Sequence, residues 1–446
     1  MVVRMQALLV STYEMGRQPF GLASPAAWLR ADGWDVVCAD VSRARLRDAD
    51  VASADVIAFH LPMHTATRLA APVIAKSRAL NPSARICAYG LYAPLNESWL
   101  RSLGVDAVFG GEFEEELTRW AGGRWPERPA PRIPRIHFLV PDRSMLPPLS
   151  KYAKLQLPDG TRRSVGYTEA SRGCKHLCRH CPVVPIYNGQ FRIVPPDVVL
   201  ADVEAQVAAG AGHITFGDPD FFNGPTHAMR IVEQLHASHP SVSYDVTIKV
   251  EHLLRHRLLL PRLAQTGCAF VTSAIESLDD RVLTILDKGH TRADFFVAVD
   301  ACTAAGVTLV PTFVAFHPWL TPERYCDLLD TIAALDLIDH VAPIQLAIRL
   351  LLPEGSRLLT RPEMRPHVGA FDPKTLTYRW THPDPAVDAL HQEVSTIVGR
   401  RLTADRRAVF EEVSALAHDR AGLPLPSSKP FRDRASVPYL DEPWYC

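Results

Sequence analysis

The stretch Val165-Gly-Tyr-Thr-Glu-Ala170-Ser-Arg-Gly-Cys174-Lys-His-Leu-Cys178-Arg-His-Cys181-Pro182 decides how the rest of the chain is read. Residues 165–170 predict a strand, and three cysteines follow at once in a C-x3-C-x2-C spacing. Three thiolates on one short loop can ligate three irons of a cubane cluster, because cysteine thiolate is the usual protein ligand of such clusters. The fourth iron then keeps an open position, which a cluster needs in order to bind and reduce a molecule. Zinc is the competing reading. A structural zinc asks for a fourth Cys or His, and His176 and His180 stand in the same loop. Three unrelated buried cysteines are the third reading.

Downstream of the loop, apolar runs and helical patterns alternate. Candidate strands are Val165–Ala170, His213–Phe216, Tyr244–Val250, Ala269–Ile275, Thr308–Ala315 and Ala342–Ile348, with helices such as Asp197–Ala209, Thr226–His236 and Pro322–Leu335 between them. Six βα units in sequence predict a parallel barrel or part of one, with its chemistry at the C-terminal strand ends. Charged and polar residues collect there. Asp218 and Asp220 lie in Thr215–Asn223, whose Asp, Pro, Gly and Asn would equally make a turn. Lys249 and Glu251 end the third strand and Ser273 and Glu276 the fourth. Arg349 follows the sixth, where it could clamp a carboxylate or form a structural ion pair.

Upstream, short strands at 5–11, Trp34–Ala39, Val56–Leu61, Arg85–Tyr89 and Ala107–Phe109 alternate with helical patterns, predicting a doubly wound parallel sheet. The expected fold class is therefore α/β: a Rossmann-like domain over 1–125, a Pro-rich linker over 126–163, a partial (β/α)6 barrel over 164–358, and a helical extension with an irregular tail over 359–446. The linker expectation rests on eight prolines between Pro126 and Pro158 with little periodicity.

The three cysteines and the strands after them resemble the radical S-adenosylmethionine (radical SAM) superfamily, over about 164–355. The resemblance implies that Cys174, Cys178 and Cys181 hold a [4Fe–4S] cluster whose fourth iron is chelated by the amino and carboxylate groups of S-adenosylmethionine. Electron transfer then cleaves the sulfonium to a carbon radical, usually 5′-deoxyadenosyl. By position, Asp218, with Asp220 second, would pair with the methionine ammonium through a charge-assisted bond. Ser273 and Glu276 would lie by the nucleoside, and Lys249, Glu251 and Arg349 are further cofactor candidates. His180 stands where the superfamily usually has an aromatic residue. Lys288-Gly-His290-Thr291 resembles a segment of cobalamin-type members.

The N-terminal layout resembles the cobalamin-binding architecture of class B methylases, in segments such as Ser11-Thr-Tyr-Glu14-Met-Gly16-Arg17 and Gly110-Gly111-Glu112. The Asp-x-His-x-x-Gly signature for a lower axial histidine is absent, and His60 and His64 fall outside that pattern. The chain's end, through Trp444-Tyr445-Cys446, resembles a radical SAM group named for a Cys-Cys-Ala-Glu-Pro or Cys-selenocysteine-Ala-Glu-Pro tail. A selenocysteine codon read as a stop after Cys446 would explain where it breaks off, and the gene's next codon decides this. The resemblance implies transfer of a SAM-derived group: methyl through cobalamin, or 3-amino-3-carboxypropyl to a soft acceptor such as trivalent arsenic held by Cys446. An iron–sulfur electron carrier and a zinc-binding module are the alternatives.

Composition bounds the rest. With 48 Lys and Arg against 49 Asp and Glu, the net charge of −1 argues against a nucleic-acid partner. The stretch near Val310–Leu320 is too short and too interrupted by proline for a membrane span. Nine cysteines, an odd number with three clustered, fit metal binding in a reducing cytoplasm. The expected partners are a small-molecule substrate and a reductase or flavodoxin-type electron donor.

Overall fold

A computed structural model of the chain describes residues 5–124, 133–401, 405–426 and 437–441. Strands β1 (Gln6–Ser11), β2 (Asp35–Asp40), β3 (Val56–His60), β4 (Arg85–Tyr89) and β5 (Ala107–Phe109) form a parallel sheet in the order β2-β1-β3-β4-β5. Every residue of β3 is buried, as a strand covered on both faces requires. Ala7 and Leu9 pack with Leu22 and Trp120 on one face, while Leu8 and Val10 pack with Ile74 and Leu100 on the other. The order reverses between β1 and β3. Connections leaving those strands part to opposite faces and open a crevice at their C-terminal ends.

The second sheet contains β6 (Lys154–Gln156), β7 (Arg162–Thr168), β10 (His213–Phe216), β11 (Ser243–Thr247), β12 (Cys268–Glu276), β13 (Leu309–Phe313) and β16 (Tyr439–Leu440), in the order β13-β12-β11-β10-β7-β6-β16. From β7 to β13 the neighbours run parallel. Between them β8 (Ser171–Gly173) and β9 (Phe191–Ile193) make an antiparallel ribbon, and β14 (Val368–Asp372) and β15 (Thr377–Trp380) a hairpin. The α/β class and the open, curled parallel sheet hold. No helix among the described residues is long and apolar enough to cross a membrane.

Three expectations change. The sixth strand over 342–348 does not form. Pro343–Leu346 turn into a 3-10 helix, and the sheet continues only as one parallel bridge between Phe316 and Arg349. Pro343 has no N–H for a ladder, and the Gln345 side-chain oxygen accepts the Phe313 N–H at 3.0 Å in place of a strand carbonyl. Part of the expected linker is β6, paired antiparallel to β7, because Leu155 alternates with half-buried Lys154 and Gln156 and packs on Val165 and Phe270. Finally, the tail is not wholly irregular: Tyr439 and Leu440 seat on the outer edge of β6.

Arg172, in β8, joins the two sheets. Its guanidinium donates to Glu112 at 3.0 Å and Glu114 at 2.7 Å beyond the first sheet, and to Glu169 at 2.7 Å after β7. It also lies over the rings of Phe20, Phe113 and Phe138, 5.2–5.7 Å from their centroids. Burial raises the carboxyls of Glu112 and Glu169 despite this partner. Breaking a buried ion pair by removing one partner costs about 3–5 kcal/mol. Arg172→Met should therefore lower the unfolding free energy by about that much in urea titration, and more at pH 8 than at a lower pH, because carboxyls raised by burial take up protons more readily as pH falls. An unchanged midpoint at both pH values would show that Arg172 does not hold the interface.

Candidate functional site

The cysteine loop leaves β8 through Gly173, whose φ is +76°. A Cβ there would lie 2.3 Å from the Tyr187 ring and 2.5 Å from the Gln190 carbonyl, so only glycine fits. Asn223, fully buried, accepts the Lys175 N–H at 3.1 Å and donates to the Gly173 carbonyl at 3.3 Å, fastening the loop to the turn after β10. Cys174, Cys178 and Cys181 are free thiols. Burial pushes Cys174 up to about 11 and Cys181 up to about 12. Both stay protonated near neutral pH until a metal displaces the protons. Lys249 opposes that rise at Cys174 and Lys288 at Cys181. Two of the chain's eight lysines thus flank the three sulfurs.

The loop's own histidines face elsewhere. His180 Nε2 is 3.0 Å from Glu276 Oε1, and His176 is turned to Asp220 and Glu251 at 3.4 and 3.5 Å. Neither offers a fourth ligand to the thiols. Among the described residues one group of His, Cys, Asp or Glu brings its ligand atoms within 4.8 Å of one another, and it is not the cysteines. The three sulfurs therefore do not all lie within 4.8 Å of one another, which is wider than the shell of a single zinc.

The strand-end candidates fall into distinct places. Asp218 accepts the Ala170 N–H at 2.9 Å and the Ser171 hydroxyl at 2.5 Å, and burial pushes its carboxyl up to about 7. For Asp220, burial works against ionisation, but His176 and His252 outweigh it and hold the carboxyl below its usual range. Lys249 lies 3.7 Å from Glu251, which Arg255 also holds at 2.7 Å. Both reach the Lys288–His290 segment, because Gly289 lets Glu251 approach. Ser273 is buried and its hydroxyl makes no hydrogen bond. Glu276 sits at a register shift between β12 and β13 with φ +69°. Burial would raise its carboxyl, yet Lys288, at 3.2 Å, and His180 hold it well below the usual range. His290 is held down to about 4 by burial and by Lys288 and Lys249. Arg349 is spent elsewhere, on Asp388 at 2.7 Å, the Trp380 carbonyl at 2.9 Å and the Trp380 ring at 3.7 Å. Cys446 lies outside the described residues.

Between the C-terminal ends of the two sheets is a cavity of about 340 Å³. Glu14, Arg17, Gly21, His60 and Gly90 line it from the first sheet, and Tyr167, Ser171, Arg172, Gly173 and Asp218 from the second. His60 Nδ1 is 2.6 Å from Glu14 Oε1, and neither buried atom makes an aligned hydrogen bond. A Cβ on Gly21 would lie 2.0 Å from the His60 ring, and Gly90, at φ +106°, would press on the Leu61 carbonyl. These glycines let the His60 ring pack against the backbone at the sheet's switch point. The 11–17 segment lines the cavity as its position after β1 implies. Sequence reasoning missed the role of His60, whose place at the end of β3 beside the switch point was the available signal. It also missed Arg172 and His252, for which one sequence offers none.

Residues 168–333 match the family model of the Radical SAM superfamily. A tRNA-2-methylthio-N(6)-dimethylallyladenosine synthase of Fusobacterium nucleatum subsp. nucleatum is 24% identical over 180 residues, 36% of this chain and 39% of that protein. The chain thus matches well under half the length of this curated relative. The cobalamin-dependent S-adenosylmethionine radical enzyme OxsB with aqua-cobalamin bound superposes with a TM-score of 0.71 at 12% identity, over 94% of this chain and 72% of that one. The radical S-adenosylmethionine methyltransferase TsrM from Kitasatospora setae, with cobalamin and [4Fe–4S] cluster bound, gives 0.58 at 17% identity, over 75% and 74%. At these identities the likeness establishes the fold, including the pairing of a Rossmann-like sheet with a half-barrel.

A raised carboxyl such as that of Asp218 stabilises the fold in its protonated form. That contribution is full below the ordinary Asp value of about 4 and is lost as pH rises through about 7. Between pH 5 and 8 the urea midpoint of the wild type should fall, and Asp218→Asn should flatten the fall. Parallel profiles for the two proteins would show that Asp218 is ionised throughout.

Proposed function

We propose, from the premise that residues 168–333 are a Radical SAM superfamily domain, that the protein reductively cleaves S-adenosylmethionine at a [4Fe–4S] cluster on Cys174, Cys178 and Cys181. We further propose that it transfers a SAM-derived methyl group with cobalamin in the cavity between the sheets. The observation that carries this reading is that Ser171, Arg172 and Gly173, the residues running into Cys174, are themselves a wall of that cavity. Whatever fills it lies against the residues that lead into the cysteine loop and against Val183 and Tyr187 just after it.

When bound, the cluster supplies an electron to the sulfonium and the corrin supplies a cobalt that carries methyl. The chain's residues do the rest. Lys249 and Lys288 balance the thiolate charge. Asp218 faces the cavity with its carboxyl raised, and an incoming ammonium would draw it to ionise. Glu276, fixed by Lys288 and His180, is the residue we assign to the nucleoside side. The His60–Glu14 pair, seated against Gly21 and Gly90, offers polar atoms to a ligand in the cavity. Arg172 keeps both walls closed against water. The proposed partners are a small-molecule substrate and a reductase or flavodoxin-type donor, in the cytoplasm.

A second reading, aminocarboxypropyl transfer to a soft acceptor such as trivalent arsenic at Cys446, is favoured by the seating of β16. Asp441 accepts the Lys154 N–H at 2.7 Å and bonds Gln156 at 3.0 Å and Arg162 at 2.9 Å. Next to Lys154, the Ala153 N–H donates to Gly16, inside the cavity-wall segment. Residues 437–441 are thus linked, through Lys154 and Ala153, to the segment that lines the cavity.

Anaerobic reconstitution with iron and sulfide, then mass spectrometry of the products under reduction with and without cobalamin, separates these readings. Cobalamin-dependent S-adenosylhomocysteine is the expected product for methyl transfer. 5′-Methylthioadenosine that falls at least about tenfold in Cys446→Ala would establish the second reading instead. Cys174→Ala, Cys178→Ala or Cys181→Ala should each abolish the cluster absorbance and all cleavage. Activity retained by any one of them would refute the central assignment.

A further inference from the structure

Beside the cysteine loop, His176, Asp220 and His252 bring their ligand atoms within 4.8 Å of one another. They come from three elements: the loop itself, the turn after β10, and the helix Val250–Arg255 that follows β11. Asp220 Oδ2 stands 2.7 Å from His252 Nδ1 and 3.4 Å from His176 Nε2. Asp220 is 1% exposed and His252 3%. All three atoms are buried and none makes an aligned hydrogen bond. They face one another as close ion-pair contacts rather than through aligned N–H···O bonds, which leaves their lone pairs turned toward a shared point. One cation among them would satisfy all three.

The surroundings are those of a ligand set. Atoms bound tetrahedrally to one zinc at about 2.0–2.2 Å lie roughly 3.4 Å apart, so the His176 distance already has that spacing and His252 would withdraw from Asp220 by under about 1 Å to admit the ion. Behind His176, Glu251 Oε2 lies 3.5 Å from the other ring nitrogen, Nδ1. A carboxylate behind an imidazole fixes its tautomer and raises its basicity as a ligand. Glu251 is itself held by Arg255 at 2.7 Å, and the second oxygen of Asp220 accepts the Phe222 N–H at 3.2 Å. Both ligand planes are therefore oriented from outside the site.

We propose that His176, Asp220 and His252 hold one zinc ion, with water in the fourth position, independently of whatever the three cysteines bind. Two imidazoles and one carboxylate are a zinc donor set. A redox-silent ion can also sit beside a reducing centre without exchanging electrons. Its role is to tie the first turn of the cysteine loop, Cys174-Lys-His176, to the ends of β10 and β11 and to place positive charge near Cys174.

The test is metal analysis of the full chain, purified anaerobically, exchanged with zinc and desalted. Zinc equimolar with the chain is expected alongside the cluster iron, and His252→Ala or Asp220→Ala should lose the zinc while keeping the iron. Zinc should persist when Cys174→Ser, Cys178→Ser and Cys181→Ser are combined, which separates this site from the cysteines. Should that triple variant not fold, cobalt(II) loaded into the wild type gives the same answer. Nitrogen and oxygen ligation shows weak d–d bands without thiolate charge transfer, and His252→Ala should remove them. Zinc that leaves with the cysteines and survives His252→Ala would overturn the proposal. So would iron in place of zinc, or an Asp220→Ala variant that weakens binding of S-adenosylmethionine with its metal content unchanged.

Discussion

The buried guanidinium of Arg172 is the constraint on which the site's geometry depends. It binds Glu112 and Glu114 from the first sheet's side and Glu169 from the second, with three aromatic rings around it. A charge taken out of water is tolerated only where its partners satisfy it closely. That demand fixes the separation and angle of the two sheets, and hence the cavity between their C-terminal ends. Arg172 is also two residues from Cys174 in sequence. The strand that locks the sheets together is the one that delivers the cysteine loop, so the relative placement of the cavity and the loop is a single structural decision.

Electrostatics then divides that region into two sides. On the cavity side, Asp218 is buried with neutral donors and its carboxyl rises. Around the loop, Glu276 faces Lys288 and His180 and falls. Similar carboxyls are thus driven apart by their neighbours, one raised toward neutrality and the other held ionised. The lysine that accomplishes this is Lys288, just after the helix Asp280–Leu286, which also opposes the rise of the Cys181 thiol.

Much of this was legible in the sequence because its signals are local. The strand at His213–Phe216 and the five strands of the first sheet follow from apolar runs bounded by turn residues, and the C-x3-C-x2-C spacing names the three thiols outright. What was not legible depends on distant partners. The apolar run 342–348 reads as a strand, yet Gln345 serves the Phe313 N–H through its side chain and the backbone is released to a 3-10 turn. Lys154–Gln156 sits in a proline-rich region but finds β7 on one side and Tyr439–Leu440 on the other. The pairing of His252 with Asp220 joins residues 32 positions apart through two elements, and no periodicity reports it. Arg349 shows the converse: of the two readings open to a cation at a strand end, ligand clamp or structural ion pair, the second holds, with Asp388 and Trp380 as its partners.

The position of β16 bears on how the molecule assembles. The first sheet is built from contacts within the first 120 or so residues, whereas the outer edge of β6 waits for residues nearly 300 positions later. Until they arrive, β6 presents an unpaired ladder of N–H and C=O groups, the arrangement that invites pairing with another chain. Long sequence separation also makes that closure late. The C-terminal segment therefore protects the half-barrel from edge-to-edge association, and the interval between synthesis of β6 and docking of β16 is when a nascent chain is most exposed to aggregation.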